Sequence, residues 1–213
     1  MPDYEYHIFI SYRRSDDDWV RWTRNNFVKP LRSLLRPALG DVSIFVDEQI
    51  ETGDDWPMRL ARALARSRLL IPVLSRDYFN SEWCRIELAH MYEREQQSGL
   101  RTLQEPDGLI LPFVIDDGNS FPPKVQAMQG EKIHKFANPW VLLNSPRQEE
   151  FAAHLHSWCP CVEQALQRVP TYDSTWENLA YDQLQNQFQI HVADQTVLPG
   201  LSLNLTARSA TTP

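Results

Sequence analysis

Short apolar runs alternate along the chain with longer segments in which apolar residues recur every three or four positions. The apolar runs predict five strands, at 7–12, 42–46, 69–74, 109–115 and 133–136. The periodic segments predict helices at 19–35, 56–65, 82–97 and 146–166, with one helical turn at 122–128. Strands that alternate with helices in this way predict an α/β fold, with a parallel sheet covered by helices on both faces.

Residues that favour helix ends lie where these segments begin and end. Asp16–Asp18 stand at the start of the first helix, and Asp55 is placed to cap the second, with Pro57 in its first turn. Ser81 precedes the third helix as a cap, and Gly99 follows it at the position where helices favour glycine. The helix boundaries are therefore predicted by local chemistry as well as by periodicity.

The pattern changes after the last strong helix. We predict one domain over residues 1–167 and a C-terminal extension over 168–213. In the extension, the run Ser174–Glu177 resembles a capping box and predicts a helix at 175–187, while 199–213 has the composition of a linker.

Composition narrows the classes of function. The chain has 213 residues, of which 42% are hydrophobic, and a net charge of −7 from 21 basic and 28 acidic residues. This balance favours a folded domain over a disordered one, and argues against nucleic acid and anionic membranes as partners. The N-terminus has no apolar signal region, and the longest apolar run, 69–74, is too short to cross a bilayer. The expected location is cytoplasmic.

Three cysteines are an odd number, and too few, for a disulfide framework. Cys159 and Cys161 are separated by one residue, with His154 and His156 as the nearest other metal ligands. That spacing does not match a zinc site, so ordinary reduced thiols and no metal are the expectation.

Charged residues follow two predicted strands where ligands of parallel sheets bind, beyond the carboxyl ends. The first strand runs into Tyr12, Arg13 and Arg14, and the second runs into Asp47 and an acidic loop that reaches Asp54. Two arginines can hold phosphates, but they also suit a solvated turn neutralised by nearby aspartates. The loop is longer than most strand–helix connections, which favours a lid or an interaction loop over a simple turn.

The third helix carries a carboxylate at the edge of an apolar stripe. Glu87 lies four residues after Trp83 and therefore on the same helix face. The helix pattern alone favours a boundary glutamate paired with Arg85 or Arg94 over a catalytic acid.

Several enzyme classes lose support because their motifs are missing from the sequence. There is no glycine-rich nucleotide fingerprint, P-loop, GxSxG elbow or HExxH pair. A phospho-acceptor receiver domain needs an aspartate at the end of the third strand, where this chain has Ser75, while Asp47 ends the second strand instead.

Four blocks of sequence, taken together and in order, resemble the Toll/interleukin-1 receptor (TIR) domain. They are HIFISYRR, SIFVDEQIETGDDW, LLIPVLSRDYFNSEWCRIEL and LILPFVIDDG, and the resemblance spans about residues 5–166. It implies a flavodoxin-like sheet of five parallel strands. The motif WCRIE is similar to the branch of the family that cleaves NAD⁺.

The resemblance assigns roles to particular residues. It implies that Glu87 is catalytic, that Trp83, Tyr12, Arg13 and Arg14 bind substrate, and that Asp47 does so from the loop after the second strand. That loop, the BB loop of the family, is expected to close over substrate and to meet a neighbouring subunit. Its assembly residues are Glu48, Gln49, Ile50, Glu51, Thr52, Gly53 and Asp54.

Two functions follow as hypotheses. The first is an NAD⁺ nucleosidase that releases nicotinamide and forms ADP-ribose or a cyclic isomer, is activated by self-assembly, and serves prokaryotic anti-phage immunity. NAD⁺ is then a substrate and no cofactor is needed; the expected partners are other TIR domains and a sensor domain or protein. The second is a non-catalytic module that docks other TIR domains through the BB loop.

Overall fold

The computed structural model describes residues 4–46, 56–116, 118–179 and 188. Five strands and six α-helices lie within these ranges. The strands are β1 (Tyr6–Tyr12), β2 (Ile44–Val46), β3 (Ser67–Leu74), β4 (Phe113–Val114) and β5 (Glu131–Lys132). The helices are α1 (Asp17–Trp22), α2 (Lys29–Leu39), α3 (Trp56–Ala65), α4 (Glu82–Gln97), α5 (Pro123–Gln126) and α6 (Pro146–Gln167).

The strands form one sheet in the order β2-β1-β3-β4-β5, and every pairing is parallel. This order is that of a flavodoxin-like sheet, so the predicted fold class is confirmed. Strand β1 lies inside the sheet and pairs with β2 on one side and with β3 on the other, as in the register Ile10↔Val46 and Ile10↔Ile71. The chain therefore reverses its direction of winding at β1, where such sheets bind ligands.

The helices pack in two groups. Helix α2 contacts α6, and α3 contacts α4. Right-handed crossovers from β1 to β2 and from β2 back to β3 place these groups on opposite faces of the sheet. Within the described ranges, no helix combines the length and the apolar character that crossing a bilayer requires.

The helix between β1 and β2 contains a π-helical segment, Thr23–Val28, that joins α1 to α2. Pro30 has no N–H to donate to the carbonyl of Asn26, four residues earlier. Gln148 of α6 replaces that donor: its Nε2 donates to the Asn26 carbonyl at 3.0 Å, and its Oε1 accepts from Asn26 Nδ2 at 2.8 Å. A reciprocal amide pair thus joins the irregular segment to α6.

Two of the predicted strands differ from those in the structure. The run 109–115 forms only the two-residue strand β4 and an isolated bridge at Ile110, because Pro112 cannot donate a ladder hydrogen bond. The fifth strand was expected at 133–136 but lies at Glu131–Lys132. The chain turns after Ile133, whose carbonyl accepts from Phe136 N at 2.8 Å, so both apolar side chains are buried from a turn.

The segment 169–179 packs against the domain. A 3₁₀ helix, Ser174–Asn178, replaces the start of the helix predicted at 175–187, and its cap is Asp173 rather than Ser174. The rest of that prediction lies outside the described residues. Trp176 is buried with its ring 4.2 Å from the Arg94 guanidinium, and Phe188 is buried against Tyr92. This segment therefore covers α4.

Candidate functional site

A cavity of about 240 Å³ opens at the carboxyl end of β1, against the first turns of α4. Two stretches of chain build it: the end of β1 with the residues that follow it, and the start of α4. The lining residues are Ile10, Tyr12, Arg13, Arg14, Ser15, Ser81, Trp83, Cys84 and Glu87. Glu87 is the only acidic residue among these described lining residues, so a carboxylate faces a group of arginine and aromatic side chains.

Glu87 is held in place by a chain of buried hydroxyl groups. Only 5% of the residue is exposed, and Ser11 Oγ donates a hydrogen bond to Glu87 Oε2. Ser11 Oγ also lies 2.7 Å from the hydroxyl of Tyr78, which is 2.9 Å from the backbone carbonyl of Cys84. Because Ser11 lies on β1, which is hydrogen-bonded to strands on both sides, the carboxylate is fixed relative to the sheet.

Helix α4 presents Trp83 and Glu87 to the same cavity because its start is fixed. Ser81 caps the helix, and its Oγ accepts from Cys84 N at 3.3 Å. Arg85 points to another side of the helix and donates to the carbonyl of Phe79 at 2.6 Å. Arg94 lies about 10 Å from Glu87 along the helix axis and donates to the backbone carbonyls of Leu64 and Ser67. These contacts do not favour the boundary-glutamate interpretation.

The first arginine after β1 is positioned by an aspartate that the sequence did not single out. Arg13 Nε lies 3.2 Å from Asp77 Oδ2, and Ser15 Oγ donates to the same oxygen at 2.7 Å. The hydrogen bond from Ser15, with further contributions from Asn80 and Arg13, lowers the pKa of Asp77. Asp77 therefore stays ionised and holds Arg13 at the rim of the cavity.

The thiol of Cys84 and the hydroxyl of Tyr78, both close to Glu87, are neutral at neutral pH. Burial raises the pKa of the Cys84 thiol above its usual range, and the nearby charge of Glu87 raises it further. Burial likewise raises the pKa of Tyr78 well above its usual value, with Cys84 and Glu87 adding to the effect. A thiolate nucleophile is therefore not available at this site, which leaves the carboxylate of Glu87 as the candidate catalytic group.

The structure brings together five of the residues singled out from the sequence. Tyr12, Arg13, Arg14, Trp83 and Glu87 all line the one cavity. The remaining substrate-binding candidate, Asp47, and the assembly residues of the BB loop, positions 48–54, lie outside the described residues.

Sequence reasoning missed the residues that hold the carboxylate and the first arginine. Ser11 comes from β1, whereas Asp77 and Tyr78 come from the 3₁₀ helix Asp77–Asn80, and only the fold brings them to Glu87 and Arg13. A buried serine at the end of a strand was the one available signal, since Ser11 interrupts the apolar run of β1.

The three cysteines, all of which the structure describes, are free thiols. Cys159 is buried and Cys161 is exposed, and no group of three candidate ligands for a metal ion occurs among the described residues. Burial raises the pKa of Cys159 to about 11, so this thiol is protonated at neutral pH.

Behind the site, one turn along α4 from Glu87, His90 is fully buried. Its Nε2 lies 2.9 Å from the carbonyl of Trp176, and because a carbonyl only accepts, this nitrogen carries the proton. Burial, with the positive charge of Arg94, lowers the pKa of His90 to about 3. His90 is therefore neutral in the folded protein.

This buried histidine predicts a loss of stability in mild acid. Below about pH 6.5 the unfolded chain protonates His90 and the folded protein does not, so the free energy of unfolding falls as the pH falls toward 3. Between pH 7 and pH 5 we expect a loss of about 2 kcal/mol, measured by urea unfolding. His90→Gln keeps a donor for the Trp176 carbonyl and should remove this part of the pH dependence, whereas the exposed His156→Gln should not. An unchanged pH profile in His90→Gln would contradict the assignment.

The strand order and the carboxylate cavity define a flavodoxin-like α/β domain with a ligand site at its carboxyl edge. The family model described as TIR domain matches residues 8–155, and the chain belongs to the TIR domain family.

Curated proteins with similar sequences come from plants. The chain is 31% identical over 96 residues to Protein PHLOEM PROTEIN 2-LIKE A8 of Arabidopsis thaliana, covering 45% of this chain and 25% of that protein. It is 35% identical over 89 residues to Disease resistance-like protein DSC1 of the same plant, covering 42% and 7%. The chain thus spans a quarter or less of these relatives.

Solved structures of TIR domains are similar to this one at low sequence identity. The TIR domain of the Toll-related receptor TRR-2 from Hydra magnipapillata has 21% identity and a TM-score of 0.39, with 60% of this chain and 83% of that chain covered. The TIR domains of the activated Roq1 resistosome have 19% identity and a TM-score of 0.39, with 86% and 96% covered.

Proposed function

We propose that this chain is an NAD⁺ nucleosidase that acts in immunity when it self-assembles, in the prokaryotic anti-phage setting expected from the sequence. The observation that carries the proposal is the buried carboxylate of Glu87, held by Ser11 inside the cavity that Trp83 and the two arginines line. Membership of the TIR family and the plant disease resistance relatives support an immune role.

The chemistry of NAD⁺ suits a site with one carboxylate. Nicotinamide carries a positive charge while bound to ribose and leaves as a neutral base, so the leaving group needs no proton from an acid. Breaking the bond between ribose C1′ and the nicotinamide nitrogen leaves positive charge on the sugar, as in other glycoside cleavages. A carboxylate that hydrogen-bonds the ribose hydroxyls stabilises that charge and orients the sugar.

The remaining residues of the cavity would bind the rest of the substrate. The indole of Trp83 offers a flat face for the nicotinamide ring, and the guanidinium groups of Arg13 and Arg14 suit the pyrophosphate. Water attack at C1′ gives ADP-ribose and releases a proton, whereas attack by a nitrogen of the substrate's own adenine gives a cyclic isomer. In either case one nicotinamide is released for each NAD⁺ consumed.

Incubation of the purified protein with NAD⁺ tests this proposal. The protein should be assayed both in dilute solution and clustered through an affinity tag on lipid vesicles, with nicotinamide and nucleotide products followed by mass spectrometry. We expect nicotinamide release in the clustered sample, with a higher rate per molecule than in the dilute sample. Clustered protein that forms no nicotinamide would support the non-catalytic docking module instead.

A further inference from the structure

A second cavity, of about 590 Å³, lies at the amino end of the sheet. It is larger than the cavity at Glu87 and shares no residue with it. Its lining residues are Tyr4, Glu5, Tyr6, His7, Ser43, Arg68, Val169, Pro170, Thr171, Tyr172 and Ser174. We call it the amino-end cavity.

The amino-end cavity is separate from the candidate active site. Strand β1 runs from Tyr6 at this cavity to Tyr12 at the other, a distance of roughly 20 Å along an extended chain. Its walls include residues 4–7, which precede the region matched by the family model, and residues from 169–174, which follow it. The cavity is therefore built largely by the two segments that flank the family domain.

One positive charge in this cavity, that of Arg68, has no acidic partner among the residues that the structure describes. Within the described ranges, Arg68 makes no ion pair, and its Nε is buried without a hydrogen-bond partner. The Arg68 guanidinium carbon lies 5.8 Å from the centre of the Tyr4 ring. Glu5, the carboxylate in the lining, is already ion-paired with Arg66 and lies 3.5 Å from Arg62. An anion that enters the cavity would therefore meet Arg68 without having to displace a carboxylate.

The neutral polar groups around Arg68 are largely occupied. Ser43 Oγ donates to the carbonyl of Glu5 at 3.0 Å, and the Tyr4 hydroxyl donates to the carbonyl of Pro170 at 3.0 Å. The Tyr172 hydroxyl donates to a glutamate outside the cavity. Burial, with the charge of Arg68, lowers the pKa of His7, so this histidine is neutral at pH 7. Among the described lining residues, Arg68 is thus the charged group that remains to recognise a ligand.

We propose that the amino-end cavity binds a small molecule that has one anionic group and a flat aromatic body. The guanidinium of Arg68 takes the carboxylate or phosphate, and the rings of Tyr4, Tyr6 and Tyr172 contact the flat body. The volume lies within the range of small-molecule sites in proteins. The proposal stands on the geometry of this cavity and does not depend on NAD⁺ cleavage.

Four probes that separate the two required features test the proposal by isothermal titration calorimetry of the full chain. We expect 2-naphthoate or 2-naphthyl phosphate to bind with a Kd of about 0.1–1 mM. The neutral 2-naphthol and inorganic phosphate should each bind at least about tenfold more weakly. Comparison of the two naphthyl anions shows which anionic group is preferred. Binding of 2-naphthol as tight as that of the anions, or no binding of either anion at roughly 5 mM, would overturn the proposal.

Variants assign the binding to this cavity. Arg68→Gln should weaken the better naphthyl anion by about tenfold or more, while the exposed Arg36→Gln should leave its Kd unchanged. Trp83→Ala, at the other cavity, should also leave it unchanged. Arg68→Lys retains the charge and covers the case in which the glutamine variant does not fold; it should bind the anion more tightly than 2-naphthol. If Arg68→Gln binds the anion as tightly as the wild type does, or if Trp83→Ala no longer binds it, the anion does not bind in the amino-end cavity and the proposal is wrong.

Discussion

Replacing Glu87 with Gln is expected to reduce the release of nicotinamide from NAD⁺ by about 10²–10³-fold, measured as kcat in the clustered state. The amide has the shape of the carboxylate but carries no charge, so it cannot stabilise the positive ribose that forms as the glycosidic bond breaks. Ser11 Oγ can still hydrogen-bond the amide, which keeps the side chain in place. The loss should therefore appear mainly in kcat rather than in KM.

A glutamate on the same helix supplies the matched control for this substitution. Glu82 is the first residue of α4 and is exposed, so Glu82→Gln makes the same chemical change outside the cavity. It should retain the activity of the wild type. A Glu87→Gln protein that unfolds like the wild type and keeps more than about a tenth of its activity would remove Glu87 from the mechanism. Nicotinamide release by the wild type would then have to be assigned to another group.

The second large effect concerns stability. Trp176→Ala is expected to lower the free energy of unfolding by about 3–5 kcal/mol, because it removes a buried indole and leaves a cavity against α4. The indole lies over the Arg94 guanidinium, which is itself buried and donates to the carbonyls of Leu64 and Ser67. Without the indole, water would reach the Arg94 guanidinium and its hydrogen bonds, which lowers the free energy of unfolding further.

Urea unfolding of the full chain measures this effect, and an exposed tryptophan provides its control. Trp140 is 73% exposed, and its Nε1 donates to the half-buried Asp18 at 3.2 Å. Trp140→Ala should change the free energy of unfolding by no more than about 0.5 kcal/mol. If Trp176→Ala were as mild as Trp140→Ala, the segment 169–179 would not be a stable part of the fold.

Much of the architecture follows from local sequence signals. The alternation of apolar runs and periodic segments predicts the parallel sheet, and the caps at Asp16 and Ser81 are the ones that the structure shows. The length of β4 was predicted less well, because Pro112 interrupts an apolar run that reads as one continuous strand in the sequence. The prediction of a strand at 133–136 was wrong because apolar residues three positions apart can both be buried from a tight turn. The sequence pattern did not distinguish this turn from a strand.

Part of the candidate site could likewise be predicted from the sequence, and part could not. Helical spacing places Trp83 and Glu87 on one face, and the parallel sheet places Arg13 and Arg14 at the same edge, so their meeting was predictable. The hydrogen bond from Ser11 to Glu87 was not predictable, because it joins residues 76 positions apart and has no spacing rule. The family resemblance assigns the catalytic role to Glu87. The structure adds that the hydrogen bond from Ser11 fixes the position of this carboxylate.

The π-helical segment has a consequence for how the length of this domain can vary. The buried residues Trp22, Phe27, Leu31 and Leu35 step by five, then four, then four, and Trp22 and Phe27 still stack at 6.5 Å. The π-helical turn holds one residue more between Trp22 and Phe27 than an α-helix would. We expect a one-residue deletion there to convert the segment to a continuous α-helix with the same faces buried. The length of the chain can therefore change by one residue at this turn while the buried positions keep their places.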